Sequence, residues 1–215
     1  MRLNYIKLNP YRVTIAIACV MVLFVPLNIF AKAQGHTVLC LYKSSEGYND
    51  DSNPLKWFFE KDITSNGLTV RYYDFDKGFP LSNLKDVRAI VTWYNTGVVN
   101  SRDIGINYAR FMTQAADDGI KIIIVNSYGA YGYNDGSEIK WDLLPYIRPL
   151  FTKIGIFFQG FWTNNPQNIT ILYKDSAMVE NDEKQDVSKS LHYQQVIPLR
   201  EDVKTYLQLQ RLDAP

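Results

Sequence analysis

Apolar residues fall along this chain in short continuous runs, separated by longer segments in which they recur every three or four positions. Thr37–Tyr42, Leu68–Phe75, Ala89–Tyr94 and Lys121–Val125 are the runs. Each is too short for a helix and rich in Val, Ile and Tyr, as expected of strands buried on both faces. Between the first two, Asn53-Pro54 supplies an N-cap and a proline at the first helical position. Leu55, Phe58, Phe59 and Ile63 follow at helical spacing, and Asn66-Gly67 is a stop. Asn100 or Ser101 caps a second helix, with a stripe of Ile104, Tyr108, Phe111, Met112 and Ala115 that ends at Gly119. Strands alternating with helices predict an α/β fold, a doubly wound and mostly parallel sheet in three layers.

The pattern weakens after Tyr128. Gly136–Phe151 reads as a short helix broken by Pro145 and Pro149, Ile169–Tyr173 as a fifth strand, Val179–Tyr193 as a polar helix. Val203–Leu209 alternates like a strand and lies close to the last residue, as in a domain truncated from a longer architecture.

The N-terminus follows another rule. Met1–Arg12 is basic, Val13–Phe30 has no charge, and Ala31-Lys32-Ala33 places small residues where a signal peptidase reads. Residues 1–33 are therefore read as a signal peptide cleaved before Gln34, or as a hydrophobic helix that anchors the chain through residues 13–30 if left uncleaved. Residues 34–215 would then form one α/β domain outside the cytoplasm, in the periplasm or at the cell surface. Mass spectrometry of the exported protein is expected to find Gln34 at its N-terminus, or the intact chain in the membrane. Full-length chain recovered from the cytosol contradicts export.

Charge and cysteine content narrow the chemistry. The 215 residues carry 23 basic and 22 acidic side chains, with four of the basic ones and no acid in residues 1–33. The remainder is slightly acidic, which argues against nucleic acid as a partner. Cys40 is the single cysteine beyond the N-terminal segment and sits inside a strand, as a buried inert thiol would. With His36 and His192 the only histidines, a Cys/His metal site lacks ligands. The glycines at 129, 132 and 136 lack the spacing of a phosphate-binding loop. No cofactor and no metal is expected.

In open parallel sheets ligands bind beyond the carboxyl ends of the strands. Here those ends carry Lys43-Ser44-Ser45-Glu46, Asp74-Phe75-Asp76, Trp93-Tyr94-Asn95-Thr96 and Asn126-Ser127-Tyr128-Gly129. Trp93, Tyr94, Asn95, Tyr128 and Tyr131 are the candidate binding groove, with Trp93 and Tyr128 expected at one rim. Aromatic faces beside amides suit a saccharide. The same rings would equally close the end of the core. Ser127, two residues before Gly129 and just after a strand, has the spacing of a nucleophile elbow. A catalytic serine needs a base, and His192, the one histidine downstream, has no orienting acid in a recognisable motif.

Arg88-Ala89-Ile90-Val91 and the run Gly119–Gly129 resemble the class I glutamine amidotransferase-like fold. In that family the segment leads into G-x-C-x-G, and Ser127 stands where the catalytic cysteine would be. The family's downstream His-x-Glu pair has no match, so the resemblance implies the fold without the amidotransferase activity. Over about residues 37–210 the chain is also similar to a family of uncharacterised exported bacterial proteins, in which such a domain precedes a polysaccharide-deacetylase-like module. Leu39-Cys40-Leu41-Tyr42-Lys43-Ser44-Ser45, Tyr72-Tyr73-Asp74 and Val203-Lys204-Thr205-Tyr206-Leu207 carry that similarity. It implies a non-catalytic binding or scaffolding domain of an exopolysaccharide-related protein, with polysaccharide as partner. The alternative is a serine hydrolase, an esterase or amidase using Ser127 with His192.

Overall fold

The computed structural model describes residues 35–78, 84–163, 169–174, 193–203 and 207–211. The expected N-terminal hydrophobic helix and the histidine at 192 lie outside the described residues, as does nearly all of the expected helix Val179–Tyr193. Among the described residues, no helix is long and apolar enough to cross a membrane.

Four strands, β1 (Thr37–Tyr42), β2 (Thr69–Asp74), β3 (Val87–Tyr94) and the later β5 (Lys121–Asn126), pair in parallel in the order β2-β1-β3-β5. β1 is buried along its whole length, which explains its unbroken apolar run. Two helices connect these strands, α1 (Pro54–Ser65) between β1 and β2 and α2 (Arg102–Asp117) between β3 and β5. Both begin as the sequence predicts. The Asn53 side chain accepts the Lys56 N–H at 3.0 Å, and the Ser101 hydroxyl accepts the Ile104 N–H at 3.3 Å. Gly67 and Gly119 leave the helices with φ of 74° and 76°, where a side chain would be strained.

Strand alternation divides the core into two clusters. Val38, Cys40, Ala89 and Val91 meet Leu55, Phe59 and Ile63 of α1. Leu39, Leu41, Val87 and Ile90 belong to the larger cluster, with Tyr108, Met112 and Ala115 of α2. Each large apolar side chain fully buried there contributes about 1.5–3 kcal/mol. Helices therefore cover both faces over the middle strands β1 and β3, between which the strand order reverses. β2 and β5, expected to be buried on both faces, are edge strands left partly exposed.

The C-terminal half departs from expectation in several places. A small three-stranded sheet of β4 (Val98–Val99), β6 (Gly132–Asn134) and β7 (Ile139–Lys140) was not foreseen, because strands of two or three residues show no periodicity. The helix expected over 136–151 is α3 (Leu144–Lys153), and neither proline breaks it. Pro145 sits in the first turn, where its missing N–H costs nothing, and buried Ile147, Leu150 and Phe151 hold the helix together around Pro149. The fifth strand exists as β9 (Ile169–Lys174), yet it joins no parallel sheet; it pairs antiparallel with β11 (Leu207–Arg211). The apolar-polar alternation of Leu207-Gln208-Leu209-Gln210 fits such a ribbon better than a doubly covered sheet. β8 (Ile156–Thr163) pairs antiparallel with β10 (Tyr193–Pro198), whose first residue the sequence pattern places at the end of a helix.

Candidate functional site

The reversal of strand order puts the carboxyl ends of β1 and β3 side by side while their onward connections diverge. That divergence opens a crevice. A cleft of about 420 Å³ lies there, lined by Ser45, Glu46, Asn95, Thr96, Val98, Val99, Asn100 and Asn134. Its volume falls in the usual range of about 300–1,000 Å³ for small-molecule sites.

One ion pair builds its wall. Lys43, directly after β1, is fully buried and donates to the carbonyl oxygens of Thr96 and Val98, each at 2.8 Å. Glu46 lies 3.4 Å from the Lys43 ammonium and turns its carboxylate to the other half of the same loop. It accepts the Asn95 N–H at 2.7 Å and the Thr96 N–H at 2.9 Å. Lysine thus holds the carbonyls of the loop, and glutamate its amides. The ammonium also stands 5.1 Å from the Tyr94 ring centroid and 5.8 Å from that of Phe75. Burial outweighs the pull of Glu46 and Asp76 and brings the Lys43 pKa down to about 8.

The turn after β1 is fixed from its other side as well. Asp74, at the end of β2, accepts the Ser44 N–H at 3.0 Å, and Asp76 accepts the Ser45 N–H at 2.8 Å. Gly97 is required across the cleft, because a Cβ there would lie 2.0 Å from the Tyr131 ring. Its carbonyl accepts the N–H groups of Tyr131 and Gly132 at 3.0 and 2.9 Å.

Of the five residues expected to line a groove, Asn95 alone faces the cleft. Its amide donates to the Tyr48 hydroxyl at 2.8 Å. Tyr94, Tyr128 and Tyr131 are at most 2% exposed and belong to an aromatic core beneath it. Tyr108 stacks on Phe75 at 4.3 Å between centroids, Tyr128 lies between Tyr108 and Phe151, and Tyr131 meets Phe158. Trp93 is half-buried on the opposite face of the sheet, packed against the α1 cluster and stacked on Phe58. Trp93 pairs in register with Val125, three residues before Tyr128, yet the two rings point to different sides of the sheet.

Ser127 is fully buried, and its hydroxyl oxygen accepts the Gly129 N–H at 3.2 Å. Two residues of this turn are left-handed, Asn126 with φ of 67° and Gly129 with φ of 86°. The Asn126 amide reaches the Asn95 side-chain oxygen at 3.4 Å. The Cys40 thiol is buried and pushed up to about 12, first by desolvation and then by Glu60, so it keeps its proton. Among the described residues, no group of three His, Cys, Asp or Glu is arranged to hold a metal ion.

Lys43 and Glu46 were visible in the sequence as loop residues, but their burial was not. The one available signal was their i, i+3 spacing directly after a buried strand. Asn100 was marked only as a candidate helix cap, and Asn134 carried no signal at all. Comparison of the chain with models of protein families, with curated proteins and with solved structures finds no match.

Proposed function

We propose that residues 34–215 form a non-catalytic saccharide-binding domain of an exported protein, on an amidotransferase-like variant of the α/β fold. The observation that carries the reading is the chemistry of the cleft. Ser45, Asn95, Thr96, Asn100 and Asn134 line it with hydroxyl and amide groups, half-buried Val98 adds an apolar surface backed by buried Val99, and the single carboxylate, Glu46, is engaged by backbone amides. Neutral donors and acceptors around a small apolar surface match a neutral polyhydroxylated ligand. They match a phosphate or a cation poorly.

Support for the fold lies in the parallel order β2-β1-β3-β5 and in the glycine turn that follows β5. Support for export lies in the charge and apolar pattern of residues 1–33. The hydrolase alternative draws no support from the geometry, since the Ser127 hydroxyl is buried and closes a turn.

Calorimetric titration with glucose, N-acetylglucosamine and their disaccharides tests the reading. The expected dissociation constant lies between about a millimolar and a micromolar for at least one of these sugars, because a wet, open cleft makes few desolvated contacts. Asn95→Ala is expected to weaken binding about tenfold while the melting temperature stays near the parent's, as for other exposed positions. A parent protein that binds none of these sugars overturns the proposal.

A further inference from the structure

On the α1 side of the same rim the protein exposes aromatic rings that its core does not use. Trp57 and Phe58 are 65% and 62% exposed, although both stand near the start of α1, where Pro54 and Leu55 are buried. The buried stripe of this helix runs through Leu55, Phe59 and Ile63, and Trp57 and Phe58 lie off it. Phe58 is not loose. Its ring stacks on Trp93 with centroids 5.6 Å apart and planes 13° from parallel. Trp93 is in turn seated against the core.

We infer that Trp57, Phe58 and Trp93 form an aromatic platform that binds further sugar units of the ligand whose first unit occupies the cleft. The inference rests on the saccharide reading and extends it from a single ring to a chain. Three features favour this occupant. Trp93 is two residues from Asn95, which lines the cleft, so the backbones of these two residues are about 7 Å apart. Phe58 and Trp93 are held against each other before any ligand arrives, so that little conformational entropy is lost when a ligand stacks on them. Taking about 200–250 Å² for a whole aromatic side chain, Trp57 and Phe58 expose about 300 Å². A specific protein partner needs about 800 Å² on each side. The two rings by themselves fall well short of that area, and they fit the flat C–H face of a pyranose, whose hydroxyls point outward into water or toward the polar rim.

The test uses the full chain, the variants Trp57→Ala, Phe58→Ala and their double, and β-1,4-linked oligomers of glucose and of N-acetylglucosamine from one to six units. Binding is read by calorimetry and by tryptophan fluorescence. Affinity is expected to rise with length in the parent, and the double variant to lose about tenfold for the tetramer and hexamer while binding the monomer as the parent does. Trp57→Ala is expected to melt with the parent, and Phe58→Ala and the double variant slightly lower, because they lose the stack on Trp93. Oligomers quenching or shifting the parent's fluorescence, with that change lost in Trp57→Ala, is the second supporting result. Affinity that does not grow with length, or that the double variant leaves intact, overturns the platform and leaves the cleft reading standing. No binding of any unit by the parent overturns both. Concentration-dependent self-association in ultracentrifugation, abolished by Trp57→Ala, assigns the rings to a second copy and overturns the platform too.

Discussion

Replacement of Lys43 by methionine is expected to destabilise the domain by about 3–5 kcal/mol at pH 7, the largest loss from any single polar side chain of the cleft. The substitution removes three things together. The carbonyls of Thr96 and Val98 lose their donor, the Glu46 carboxylate is left with its side chain 5% exposed and no counter-charge, and the loop that walls the cleft loses half its attachment. Burial of a single charge, rather than loss of an attraction, dominates the sum. Addition of Glu46→Gln to Lys43→Met is therefore expected to recover part of the loss, since a neutral amide in place of the carboxylate removes the stranded charge and still accepts one backbone N–H. Chemical denaturation of the four proteins of this cycle measures it. A single variant as stable as the parent would mean that the pair does not hold the loop.

The proton on Lys43 gives the same prediction a pH signature. In the unfolded chain this ammonium titrates near the ordinary lysine value of about 10.4, and in the folded protein at about 8. Below about pH 8 both states hold the proton, and stability is independent of it. Between the two values only the unfolded chain holds it, so the contribution of this group to stability rises with pH. Methionine has no such proton. The gap between the parent and Lys43→Met is thus expected to widen from pH 8 to pH 10. Tyr42 and Tyr72, whose phenols are held above their ordinary value first by burial and then by Asp50 and Glu60, act in the opposite sense. Their contribution falls as pH rises, but both proteins keep them and it cancels. A gap that stays constant from pH 8 to pH 10 rejects the depressed lysine.

What could be read from the sequence follows from burial. β1 and β3 lie in the middle of a sheet covered on both faces, so their apolar runs needed no tertiary knowledge, and the caps at Asn53 and Ser101 act locally. The equally apolar run of β5, by contrast, gave no sign that it is an edge strand with Ile123 exposed. The groove was legible only in part, for a reason that strand geometry supplies. Trp93 and Tyr94 are consecutive in β3, and consecutive strand residues face opposite sides. They were never able to line one surface. Trp93 accordingly follows Ala89 and Val91 toward α1, and Tyr94 follows Ile90 into the aromatic core. Tyr128 was harder, because alternation ends where Asn126 turns left-handed and the side of the next ring cannot be counted from the strand. Lys43 was hidden by base rates of another kind: a lysine is almost never fully buried unless paired, and its partners are backbone carbonyls more than fifty residues away.

In the Ser127-Tyr128-Gly129 turn, Gly129→Ala is expected to cost about 2–4 kcal/mol and Ser127→Ala about 1 kcal/mol. Gly129 has φ of 86°, where an alanine is strained by itself. Its added Cβ would also stand 2.1 Å from the Tyr94 ring. That ring is fixed by Phe75 and Tyr108 at 5.2 and 6.0 Å, so it cannot swing aside, and the overlap is relieved only by moving the backbone or the core. Ser127→Ala removes a single acceptor for the Gly129 N–H, a bond of ordinary net strength. If the spacing existed for catalysis, the order of importance would be reversed. Serine would matter to activity and little else, and the glycine would matter through the serine. The geometry instead makes the serine a turn-closing group and the glycine a fit against Tyr94. A fluorophosphonate probe is accordingly expected to leave the parent unlabelled, and thermal melts to rank Gly129→Ala well below Ser127→Ala. Labelling of the parent that disappears in Ser127→Ala would return the serine to chemistry.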